Sequence, residues 1–460
     1  MERHCRIAPQ STAAPKKTNH EERIETLHII LLAACYLLTP LASAATINVS
    51  VTGSDASGNG SASNPYASIT RACQSALPGD LVLVATGTYT AQANSTSQTL
   101  VTCSGTPNSY ITIRSAVQYG AILKSNRRNG IRLEAARYVI IDGFDVTVGT
   151  SPHADGDGIS INVASTDGSI SHHVKVINCK VHNFGGGGIM AFRSDYVTID
   201  YNQVYGNAKV SANANSGISL YQMTNADSGS GYRNLIRQNR CWDNAQINGT
   251  ITDGNGIIID DGRHFQKGYS APAYTGRTRI ENNVCHYNGG RGIHIFLTQR
   301  VDVLFNTVFK NQSSSINDGE LTVNDEQSND GVDNGWEFSD TDVRFQNNIV
   351  YARSGKLAKP NAAGASHGGT YYTFWQSNLY YNSLVVVNPG TPSISGNPLF
   401  VDPALSNFRL QAGSPAIDAA SGYTTGQDFD ANPRPVGSGY DIGAFERQST
   451  APLAGPNSNG

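Results

Sequence analysis

Three short segments place reactive side chains at one offset from a glycine. They are Gly217-Ile-Ser-Leu-Tyr221, Gly256-Ile-Ile-Ile-Asp260 and Gly292-Ile-His-Ile-Phe296. If each is a strand, the second and fourth residues turn inward and the third and fifth turn out. Tyr221, Asp260, His294 and Phe296 then share one outer wall. A histidine can act as a general base near neutral pH, and a tyrosine can supply a proton. Arg291 stands just before its glycine, Asp261 extends the Asp260 strand end, and Arg263, His264 and Lys267 follow in a loop. A cation among them would neutralise carboxylate or enolate-like charge. Lys267 competes with His294 for the role of base.

The pattern that must position these groups is periodic. Asn202, Asn239, Asn283, Asn306 and Asn348 each follow an apolar residue by three places and precede Val or Cys by two, with Asn178 close to the same register. The shortest spacing gives a unit of 23 residues. Such a repeat of alternating short segments predicts a solenoid of β coils. The Asn column reads as turn residues, which tolerate the left-handed conformation and bond between rungs. A second column adds Gly158-Ile-Ser-Ile-Asn162 and Gly188-Ile-Met-Ala-Phe192 to the three segments above. Adjacent rungs stack at about 4.8 Å, which makes Tyr221, Asp260 and His294 neighbours. Extra length after these strands, at 223–233, 262–276 and about 324–340, predicts loops that wall a groove from one corner. The His294 rung lacks an insertion and is expected to be its open floor.

Composition agrees. Of 460 residues 39% are hydrophobic and only 15% charged, with 47 Gly and 3 Met. That charge fraction, well below the usual ~25%, excludes a coiled coil or a charged disordered chain. A net charge of -3 argues against a nucleic-acid or anionic-membrane partner. Residues 27–41 form an apolar run ending in Ala42-Ser43-Ala44, a secretory signal expected to be cut after Ala44. Five cysteines remain beyond it. Cys73 and Cys103 are candidates to pair in an oxidising compartment, Cys241 and Cys285 fall at inward positions, and no CxxC pair suggests zinc.

On the glycine and asparagine columns, the chain resembles the right-handed parallel β-helix proteins of the pectin-lyase-like superfamily. The resemblance implies an all-β, right-handed parallel β-helix over residues 45–446. Residues 45–90 are similar to the N-terminal cap, with a short helix near 65–76, and residues 396–446 to the closing segment. Residues 447–460 read as a disordered tail. The resemblance further implies a secreted polysaccharide lyase that breaks an acidic, uronate-containing chain by β-elimination. His294, Tyr221, Lys267, Arg291 and Asp260 are then the catalytic candidates. Arg193, Phe192, Arg263, Phe296 and Asn255 are the substrate contacts, with the aromatics offering flat surfaces for sugar rings. Ca²⁺, common in such lyases, would find oxygens at Asp157, Asp260 and Asp261, with Asp155 and Asp253 nearby. The expected molecule is a monomer whose partner is a polysaccharide, free of the membrane once the signal is cut.

Three other functions share this frame. A glycoside hydrolase would use Asp260 and Asp261, though the Gly-His-Gly context of such relatives is here Gly292-Ile293-His294. An epimerase shares the proton abstraction of the lyase. A non-catalytic carbohydrate-binding or adhesive protein would keep the aromatics and need no fixed His, Tyr and Asp geometry.

Overall fold

The computed structural model describes residues 44–90, 93, 94, 96–266, 269–324, 342–359, 373–384 and 390–448. Three parallel sheets wind through them. One has eleven strands, from Thr46–Val49 to Thr373–Gln376. A second, also of eleven, runs from Gly87–Tyr89 to Ile394–Ser395. The third has eight, from Ser97–Val101 to Leu321–Asn324, and carries the Gly-Ile segments. The chain visits these sheets in turn, so each of their strands pairs in parallel with one from a neighbouring rung, as a right-handed parallel β-helix requires.

The inward residues are those the alternation selects. Ile159, Ile161, Ile189, Ala191, Ile218, Leu220, Ile257, Ile259, Ile293 and Ile295 are all buried in one continuous core. Burying each Ile or Leu contributes about 1.5–3 kcal/mol. The preceding glycines are required by close approach. A Cβ on Gly188 would stand 2.4 Å from Val204 Cγ1 and 2.6 Å from the Gly217 carbonyl oxygen, and one on Gly292 would stand 2.6 Å from Val308 Cγ1.

The Asn column is a hydrogen-bond ladder. Each side-chain oxygen accepts from the backbone N–H and the side-chain amide of the Asn one rung before it. The chain runs Asn202 to Asn239, Asn283, Asn306, Asn348 and Asn378, with amide separations of 2.9–3.1 Å. These asparagines are not the left-handed residues the sequence suggested. Positive φ falls one place earlier, at Asn178, Tyr201, Gln238, Asn282, Phe305, Asn347 and Ser377. Asn178 therefore belongs to the corner column, and the ladder position in its rung is Cys179, whose N–H donates to Asn202 Oδ1. A second ladder, Asn207–Asn244–Asn288–Asn311, ends on the buried carboxyl of Glu320.

The N-terminal helix is Ile69–Ser75, shorter than expected. Ser68 caps it by accepting from Arg71 N–H at 3.1 Å. Its buried Ile69, Ala72 and Cys73 face the first strands, and Cys73 is bonded to Cys103. Cys179, Cys241 and Cys285 are free and buried. The closing segment does more than end the coil. Its antiparallel pair Phe400–Asp402 and Asn407–Leu410 lays Phe400, Phe408 and Leu410, joined by Ile442 and Phe445 further on, against the outer side of the coil at Val284, Phe309, Ile349 and Leu379. Backbone groups of 427–444 reach Gln238, Asn282, Thr307 and Asn347. No helix among the described residues is long and apolar enough to cross a membrane. The expected signal (1–44), apart from Ala44, and nearly all of the tail lie outside the described residues.

Candidate active site

The register of the eight-stranded sheet sets the site. Phe192 pairs with Tyr221, Tyr221 with Asp260, and Asp260 with Phe296, while Ser219, Ile258 and His294 form the adjacent outward column. Tyr221, Asp260 and His294 are therefore brought together as the periodicity predicts. They do not form an open floor. His294 is only 4% exposed, because loops from the opposite corner, at 245–253 and 312–319, rise beside it. The result is a cleft of about 460 Å³ lined by Thr252, Asp253, Asp260, Gln266, Arg291, His294, Phe296, Ile316 and Asp318, among others.

Two carboxyls of this cleft have opposite surroundings. Asp253 is rich in donors. Asn255 Nδ2 donates to it at 2.5 Å, Thr252 Oγ1 at 3.2 Å, and His294 Nδ1 stands 4.0 Å away. Burial pushes its carboxyl up, yet His294, Arg291 and Asn255 outweigh burial and hold it below the ordinary carboxylate range. Asp260 accepts from Gln266 Nε2 at 2.8 Å. Burial first, then the charges of Asp253 and Asp261, push its carboxyl well above the ordinary range. His294 is held below the usual histidine range by burial and by Arg291, against the pull of Asp253. Tyr221 donates to Gln266 Oε1 at 3.0 Å, and burial with the neighbouring Asp260 and Asp261 raises its phenol. Gln266 thus ties Tyr221 to Asp260.

The other predicted residues take varied places. Arg291 faces the cleft but is already engaged: its Nε lies 3.0 and 3.1 Å from the two Asp318 oxygens, and Nη1 donates to the Thr252 carbonyl at 2.5 Å. Asn255 corrects the expectation of a substrate contact. It is fully buried and spends its amide on Asp253 and Ser216 and its oxygen on the Arg291 N–H. Phe192 stacks on Tyr221 at 5.5 Å, and Arg193 lies 3.6 Å over the Tyr269 ring while donating to Gln222. Arg263 covers Phe265 at 4.4 Å. His264 is a strut between the Met223 and Ala271 carbonyls, which pins the 262–276 loop. Phe296 lines the cleft beside His294. Lys267 and most of the third expected insertion lie outside the described residues.

The carboxylates proposed for calcium do not converge. Asp261 sits at φ 50° and turns beneath the strand end, where its oxygens accept from Phe265 N–H, Gln266 N–H and Gln222. Asp157, three rungs from Asp260, accepts from Gly187 N–H, and burial pushes it up to about 6. Among the described residues no group of three or more His, Cys, Asp or Glu is arranged to hold a metal ion. These residues do not fit the calcium expectation.

Sequence reading missed Asp318 and Gln266 and gave Asp253 only as a nearby oxygen for calcium. All three lie in irregular loops with no period to mark them. The one available signal was Gln266, six places after Asp260 in an insertion already singled out.

No protein-family model matches the chain, and no curated protein matches it in sequence. Solved structures do. Pectate lyase Pel9A is 19% identical with a TM-score of 0.51, over 89% of this chain and 98% of that one. XylC in complex with xylose is 11% identical with a TM-score of 0.47, over 87% and 98%. The A-module of an Azotobacter vinelandii mannuronan C-5 epimerase is 14% identical with a TM-score of 0.40, over 72% and 96%. The likeness to the pectate lyase, together with the three parallel sheets, makes this chain a right-handed parallel β-helix of the pectin-lyase-like fold.

Proposed function

We propose that the chain is a carbohydrate-active enzyme that hydrolyses a glycosidic bond in this cleft. Asp260 gives a proton to the leaving oxygen, and Asp253 is the partner carboxylate that activates water or meets the developing cation. The observation that carries this reading is the pair itself: two carboxyls on one cleft, Asp253 among donors that hold it below the ordinary carboxylate range and Asp260, with Gln266 beside it, pushed above that range by burial and like charge. Such a division of labour marks acid and base partners. Phe296 and Ile316 supply apolar surface for a sugar ring. Secretion belongs to the same proposal, supported by the Cys73–Cys103 bond, which persists in oxidising compartments.

A second reading, β-elimination from a uronate, draws on His294, a base candidate 4.0 Å from Asp253 whose burial disfavours the imidazolium. That chemistry also wants a cation against the substrate carboxylate, and Arg291 is already held by Asp318. Incubation with a panel of plant, algal and bacterial polysaccharides decides between them. New reducing ends without an unsaturated-uronate chromophore support hydrolysis, and the chromophore would replace it by elimination.

A further inference from the structure

Asp318 belongs to none of the repeats, and its place is built with care. It ends the 312–318 loop, which Lys356 anchors by donating to the Ser314 and Ile316 carbonyls at 3.0 and 2.6 Å. Gln312 accepts from the Gly319 N–H at 3.2 Å, fixing the residue that follows. From there both Asp318 oxygens face the Nε edge of Arg291, and Nη2 donates to the same carboxylate. Paired, fork-to-fork contact of this kind consumes the face of a guanidinium that would otherwise grip a carboxylate. The Thr252 carbonyl takes Nη1. Arg291 is the one Arg or Lys lining the cleft among the described residues, against Asp253, Asp260 and Asp318.

We propose that Asp318 sets the charge class of the substrate. By occupying Arg291 it leaves the cleft, among the described residues, without a free cation for an anionic ring and with carboxylates in excess, so neutral sugar residues are accepted and uronates are turned away. The inference deepens the hydrolase reading and rests on it. It reverses the acidic-polymer expectation drawn from the sequence.

The test is paired binding. Oligogalacturonides and cello-oligosaccharides are each titrated beside a partner of the same linkage whose carboxyl has been reduced or whose primary alcohol has been oxidised. The Asp260→Asn protein is used, so that bound ligand is not consumed. With Asp318 intact, the neutral member of a pair is expected to bind about tenfold more tightly. Asp318→Asn should narrow that gap at least severalfold and make uronate binding weaken with salt. Adding Arg291→Gln should restore the gap, as a double-mutant cycle requires. Asp318→Glu, which keeps the charge, should keep the neutral preference and guards against a folding artefact. Equal binding of both members with Asp318 intact, or an unchanged ratio in Asp318→Asn, overturns the inference. If that happens while neutral polymers are still cleaved to reducing ends, the inference alone falls. If no oligosaccharide of either class is bound or cleaved, the hydrolase reading falls and takes it along.

Discussion

His286 and His294 lie eight residues apart, on consecutive strands of two different sheets, and both are almost fully buried. His286 is packed against Trp242, Tyr287 and Phe408, and among the described residues neither ring nitrogen has a hydrogen-bond partner. Burial, helped by Arg240, pushes it down to about 3. His294 is buried as deeply, but a carboxylate stands 4.0 Å from its Nδ1 and a cleft opens on one side. Burial alone therefore does not tell the two histidines apart. The carboxylate beside His294 and the cleft that opens on it do.

That contrast can be broken by mutation. Asp260→Asn should lose about 10²–10⁴-fold in kcat, the usual worth of a proton donor, with the melting temperature kept. His294→Ala should lose on the order of 10²-fold, whereas His286→Phe should leave turnover within about twofold, because an apolar ring suits that slot. Equal losses at both histidines would mean that the cleft has no special claim on His294. Asn283→Ala should cost about 1–3 kcal/mol for each buried group it leaves unpaired, measured by denaturant unfolding, since the Asn239 amides and the Ile236 carbonyl all lose a partner.

Acid stability sharpens the comparison further. The folded His286 holds its proton less tightly than the unfolded one, so the unfolded chain binds more protons between about 6.5 and about 3. The stability is present above that window and is lost as pH falls through it. His286→Phe should flatten this part of a melting-temperature profile. The smallest effect is expected for Tyr221→Phe. Loss of its hydrogen bond to Gln266 should loosen the Asp260 donor and cost roughly two- to tenfold in kcat.

The coil was legible because its demands repeat. Ile257 and Ile259 alternate with outward residues, Gly256 leaves room for Cys285 and the Gly292 carbonyl, and each feature recurs rung after rung. The corner conformation was misplaced by one residue because packing overrides preference there. Tyr201, Phe305 and Gln238 take positive φ although none favours it, while the asparagines beside them serve the ladder. Tyr221, Asp260 and His294 were found because they sit on strands. Asp318 and Gln266 were not, because a loop of irregular length fixes its side chains only through tertiary contacts such as the Lys356 anchor.

The second ladder has a polarity. Every amide from Asn207 to Asn311 gives its hydrogen to the next oxygen, and Glu320 only receives. A carboxyl in that slot is a full stop: it accepts the final amide, and burial lifts it to about 7. A turn of coil spliced between Asn244 and Asn288 would inherit a matching giver and taker on each side. One added after Glu320 would find no hand held out to it.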